Sequence, residues 1–141
     1  MLATSYTLTT TTERSFDDAL ARVRDALQSE GFGVLCDIDV QATLKAKLDV
    51  DREPYVILGA CSPPLAHRAL EAEPDLGTLL PCNVAVYRNG DRTTISAIDA
   101  EQMLSLVGNE ALSPVAAQVR EKLARVVERA AAESGLDPEG R

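Results

Sequence analysis

The run Tyr55-Val56-Ile57-Leu58-Gly59-Ala60-Cys61 constrains the fold more than any other segment. It is apolar on both faces of an extended chain. Such a strand is central and covered on two sides, or covered on one side and paired at an interface on the other. Gly59 inside it permits a close backbone approach or a bulge. Ser62-Pro63 follows at once, an N-cap and an N1 proline, so the strand passes directly into a helix. Leu65, Ala66, Ala69 and Leu70 form the buried face of that helix, and Pro74 stops it.

The flanking segments supply partners for this strand. Residues 6–12, Tyr-Thr-Leu-Thr-Thr-Thr-Thr, are rich in β-branched side chains and read as a first strand. Ser15 caps the helix that follows, and Phe16, Leu20, Val23 and Leu27 form its apolar stripe until Gly31 ends it. The next strand places Phe32, Val34, Cys36, Ile38 and Val40 on one face and Leu35, Asp37 and Asp39 on the other. On that alternation Cys36 is a small buried thiol, and the two aspartates share a solvated or dimer-facing surface. A short helix carrying Leu44 and Leu48 follows, with Lys45 and Lys47 in reach of Asp37 or Asp39. Asn89-Gly90 gives the hairpin signal of a type I′ turn, with Cys82, Val84 and Val86 on one face of its first strand and Pro81 at the strand start. A short helix ends near Gly108. The last helix starts at Ser113-Pro114 and repeats Val119, Leu123, Val126 and Ala130 on one side, either covering the sheet or pairing with its copy in a second subunit.

The element order β-α-β-α-β-α-β-β-α-α fits an α+β two-layer sandwich, a mixed sheet of about five strands with helices packed on one side. The 141 residues read as one domain, 1–141, with a long C-terminal helix at about 114–133 and a frayed tail at 134–141.

Charge and composition narrow the partners. The chain carries a formal charge of −8 with few aromatic residues, so neither nucleic acid nor an anionic membrane surface is expected as a partner. No apolar run reaches the ~20 residues of a spanning helix, and the N-terminal residues show no secretory pattern. Cysteines at 36, 61 and 82 form neither a disulfide framework nor a CxxC pair. Reduced thiols and a cytoplasmic location are the expectation.

The blocks Gly59-Ala60-Cys61, Pro63 to Leu70 and Leu80-Pro81-Cys82-Asn83-Val84, in a strand–helix–strand setting, resemble the domain-of-unknown-function 302 family. The likeness runs from about Ser15 to about Met103. The resemblance implies a compact two-layer α/β domain that tends to form homodimers, and it implies no settled biochemical role. The family usually carries Asn after the Gly-Ala-Cys block, where this chain has Ser62, and either residue can cap a helix.

Candidate functional residues cluster between 59 and 87. Cys61 precedes the N-cap of a helix, where the dipole and free N–H groups favour a thiolate. Cys82 opens the next strand and meets Cys61 if the two strands are neighbours. His67, the single histidine, lies off the apolar face of its helix beside Arg68 and Glu71. Ser62 and Asn83 adjoin the two cysteines and can orient a ligand. No Ser-His-Asp chain and no glycine-rich phosphate loop is present, so a binding pocket is easier to defend than a reaction, and whether the chain is an enzyme stays open.

The leading expectation is therefore a homodimeric binding module for a small molecule or an unidentified cofactor, held by Cys61, Ser62, His67, Cys82 and Asn83. A competing reading makes His67 a haem ligand, combines Cys61, His67 and Cys82 around zinc, or uses Cys61 and Cys82 as a redox pair. A third is a purely structural or protein-interaction domain with the C-terminal helix as its contact surface.

Overall fold

The computed structural model describes residues 2–132, so the tail expected at 134–141 lies outside the described residues. The elements in chain order are β1 (Leu2–Ala3), β2 (Thr7–Thr12), α1 (Phe16–Ser29), β3 (Gly33–Asp39), α2 (Val40–Leu48), β4 (Tyr55–Cys61), α3 (Pro63–Ala72), β5 (Cys82–Asn89), β6 (Arg92–Ile98), α4 (Ala100–Ser105) and α5 (Ser113–Ala131). Short 3₁₀ turns at Pro74–Thr78 and Glu110–Leu112 complete the path. The α+β two-layer arrangement is the expected one, with the two-residue β1 added at its start.

The strands form one sheet in the order β1-β2-β6-β5-β4-β3. Every pair is antiparallel, where the sequence reading expects a mixed sheet. The reason is the connections. From β3 to β6 each strand turns back beside its predecessor, with α2 and α3 lying in end loops instead of crossing the sheet. Only α1 carries the chain from one side of the sheet, β2, to the opposite edge, β3.

The inner face of the sheet bears Leu8, Val56, Leu58, Ala60, Val84, Val86, Ile95 and Ala97, all buried beneath α1 and α5. Register explains the contiguity: Val56 faces Val86, Leu58 faces Val84, and Val86 faces Ile95. Helix α1 buries Ala19, Val23, Ala26 and Leu27, with Phe16 and Leu20 half-buried beside them. Its ends follow the local signals: Ser15 Oγ accepts the Asp18 N–H at 3.1 Å, and Gly31 takes φ +85°. Helix α5 spends its whole apolar side on this core, from Val115 to Ala130. It covers the sheet; that side is not free for a second subunit.

Two local expectations shift by one residue. Asn89 stays in β5, paired with Arg92, so the hairpin loop is Gly90-Asp91. Gly90 alone takes positive φ (+65°), the pattern of a type II′ turn with glycine first instead of a type I′ turn on Asn89-Gly90. In β3 a bulge between Val34 and Cys36 breaks the alternation. Cys36 is therefore exposed on the outer face over Gly59, not buried. Asp37 turns toward the helix layer and pairs with Arg24 of α1. Asp39 caps α2, its Oδ1 accepting the Ala42 N–H at 2.8 Å. Lys45 consequently pairs with Asp49 and Asp51, at 2.8 and 3.0 Å, and not with the β3 aspartates. No residue of α2 is buried, and Leu48 is 66% exposed.

Candidate functional site: an apolar cavity at the sheet end

Where β4 finishes and β5 begins, the sheet parts from the helices above it. An apolar cavity of about 320 Å³ opens there, roofed by α3 and the 74–78 turn and walled by α4 and α5. Ala60, Cys61 and Cys82 form its floor at the strand ends. Leu65, Ala66, Ala69 and Leu76 come down from the roof, and Leu104, Val115 and Val119 close the far side. The volume falls at the lower end of the roughly 300–1,000 Å³ seen for small-molecule sites. No lining residue carries a charge.

The local chain explains the space. Pro63 and Pro64 start α3 abruptly after β4, so the helix leaves the sheet at once. Its inward positions include Ala66 and Ala69, which are too small to fill the gap to β4. Leu65 and Ala69 are buried and hold α3 down on the core.

Three of the five expected ligand-binding residues meet here: Cys61, Ser62 and Cys82. Ala60 pairs with Cys82 across β4 and β5, which sets Cys61 beside Cys82. Burial pushes the Cys82 thiol up to about 11, and the neighbouring Cys61 adds to the shift. The Cys82 thiol is thus held in its neutral form at ordinary pH. The α3 start offers few donors to an anion: Pro63 and Pro64 lack N–H groups, and the Ser62 side chain makes no capping bond.

The other two lie elsewhere. His67 points to solvent with its side chain 75% exposed, 3.9 Å from Glu71 Oε1. It does not line the cavity, so the structure does not bring it together with Cys61 and Cys82. Among the described residues, no group of three His, Cys, Asp or Glu is placed to hold a metal ion. Asn83 lies on the outer face of β5, in a shallow groove of about 310 Å³ that includes Tyr55, Ile57, Tyr87 and Ser96. Tyr55 and Tyr87 stack there at 4.9 Å, and the Arg52 guanidinium sits 5.0 Å from the Tyr55 ring centre.

Sequence reasoning missed the walls contributed from far along the chain: Leu35, Leu76, Leu104, Val115 and Val119. One signal was present. Val34 and Leu35 are adjacent apolar residues that interrupt a period of two, a pattern that fits a doubly covered strand as well as a bulge.

A larger, shallower depression of about 580 Å³ lies between α4 and the start of α5. It is lined by Glu101, Asn109, Glu110 and neighbours, and holds none of the expected residues.

The family described as "Domain of unknown function DUF302" matches residues 8–130. Among solved structures, the chain is similar to the uncharacterized conserved protein DUF302 from Bacillus stearothermophilus, at 28% identity and a TM-score of 0.82. That alignment covers 89% of this chain and 98% of the other. No curated protein matches the chain.

Proposed function

Since the chain belongs to the DUF302 family, whose description specifies no activity, we propose that it is a small-molecule binding module. The ligand sits in the cavity at the end of β4 and β5, against Cys61, Ser62 and Cys82. The observation that carries this reading is the cavity itself: an uncharged, apolar space of about 320 Å³. The test is a native mass spectrum of the freshly purified protein, beside that of Ala69→Leu. The expected result is a bound mass in the wild type that is lost or weakened in the variant. A bare wild-type protein whose cavity resonances ignore a panel of small molecules would overturn the reading.

The module works as a homodimer in this proposal. Support comes from the outer face of the sheet, where Thr7, Thr9, Ser96, Asn83, Ala85, Tyr87, Tyr55 and Ile57 carry no charge in a chain of net charge −8, with the Arg52 guanidinium over Tyr55 at its edge. Two such faces meet without opposed carboxylates. Sedimentation equilibrium should give a mass near twice 15.1 kDa; a monomer at high concentration would refute the dimer. The free cysteines suit a reducing compartment such as the cytoplasm. Among the described residues, no helix is long and apolar enough to cross a membrane.

A further inference from the structure

We infer that the cavity takes a flexible aliphatic chain, an alkyl or acyl group that enters tail first and leaves its polar head at the rim. This rests on the binding-module reading and names its ligand class. Three observations carry it.

The first is what the walls lack. No lining side chain is ionised, and Ser62 is the single hydroxyl among them. A charged or strongly polar ligand placed inside would lose its hydration and find no partners in return. The cavity contains one aromatic ring, Phe32, and neither Tyr nor Trp. A planar cofactor would have no stacking platform and no donors to orient its edges. The aliphatic walls make no such demands, and a chain free to rotate can follow them.

The second is how the space arises. Ala60, Ala66, Ala69 and Ala100 stand where larger side chains would fill the interior. Protein interiors leave few voids of this size, because unfilled walls forfeit their dispersion contacts. An apolar guest restores those contacts.

The third is the rim. The bulge in β3 re-aims Leu35, which lines the opening while remaining 68% exposed. Leu70, 39% exposed, faces the opening from α3. Apolar surface therefore continues from the cavity out toward solvent. Bulges beside binding sites commonly have this role of re-aiming one side chain. Half-buried Cys61 and Ser62 supply the polar atoms near a head group.

The experiment titrates the full chain with straight-chain alkan-1-ols from hexanol to dodecanol, and with the matching alkanoates, read by calorimetry and by the resonances of Leu65, Leu76 and Leu104. Each added methylene should tighten binding roughly three- to fourfold, the increment expected for burying one CH₂, until the chain end meets the cavity wall. The alkanoates should show the same increment, because their charge stays outside. Ala69→Leu should bring the levelling-off to a shorter chain. Gly77→Leu serves as a second variant that the fold accepts, since a Cβ there meets nothing within 4 Å. It should act in the same direction. Leu35→Asp should weaken only the longer chains, and the position is 68% exposed.

Affinity independent of chain length, or increments unchanged by both filling variants, would overturn the inference. If a polar molecule co-purifies in the cavity while the alcohols fail, the binding module stands and the aliphatic class falls. If nothing binds and the protein is bare, both fall. A parallel arm offers an acyl-labelled fluorescent lipid in phosphatidylcholine vesicles: transfer to the protein assigns the chain to a membrane lipid, and its absence assigns it to a free alcohol or acid.

Discussion

Gly59→Ala tests the central packing of the sheet. Gly59 lies opposite Cys36 in the β3–β4 register. A Cβ at that position would overlap Cys36 Sγ and approach Pro81 Cγ to 2.8 Å. Cys36 is exposed and its Sγ can turn about χ1 at some cost, whereas Pro81 is held by its ring. Overpacking of this kind costs ~1–3 kcal/mol. Part is offset, because replacing glycine removes backbone freedom from the unfolded chain, worth roughly 0.5–1 kcal/mol. The difference runs from about 0 to about 2.5 kcal/mol, with a midpoint near ~1, or roughly 3–4 °C in Tm for a domain of this size. Urea melts of wild type, Gly59→Ala, Cys36→Ala and the double variant form a cycle. Cys36→Ala removes the sulfur but leaves Pro81, so the cost of Gly59→Ala should fall by about half in that background. Gly59→Ala more stable than the wild type, or equally costly with and without the sulfur, would refute the close approach.

Asp99 is buried, caps α4 by accepting the Glu101 and Gln102 N–H groups, and receives Arg120 Nε at 3.1 Å. Asp99→Ala should cost about 1–3 kcal/mol in a denaturant melt, and Asp99→Asn less. Cys82 is held neutral, so the native state keeps its proton after the unfolded chain has lost it. The Cys82 contribution to stability should therefore be constant below about 9 and fall between there and about 11, and Cys82→Ala should flatten that alkaline decline. In thiol labelling at neutral pH followed by peptide mapping, exposed Cys36 should react first and buried Cys82 last. Arg125 grips Glu30 through Nε and Nη2 at 3.0 and 2.9 Å, tying α5 to the end of α1, and this bidentate hydrogen bond lowers the Glu30 carboxyl. A lowered carboxyl stabilises above its unfolded value near 4.5, and the gain is lost as pH falls through the folded one. Arg125→Ala should shrink the acid-side decline by less than about 1 kcal/mol in pH-dependent melts, as expected for a partly solvated pair.

The elements and their order were legible from the chain alone. Local chemistry decided them: the Ser15 cap and Gly31 stop bracket α1, Pro63 and Pro64 start α3, and the four-three-four spacing of Val119 to Ala130 makes α5. The site was legible only in outline. Cys61, Ser62 and Cys82 are close in sequence to the strand ends that form the cavity floor, so a strand–helix–strand reading brings them together. His67 and Asn83 share that stretch but face away, because which side of a helix or strand meets the core is set by what packs on it. The tertiary structure alone decided the β3 bulge, which moved Cys36 to the surface and sent Asp37 to Arg24. It also decided the cavity, whose walls come from β3, β4, α3, β5, α4 and α5. Periodicity records what each residue does within its own segment. A one-residue slip in pairing, or a gap left between segments a hundred residues apart, depends on how those segments close against one another.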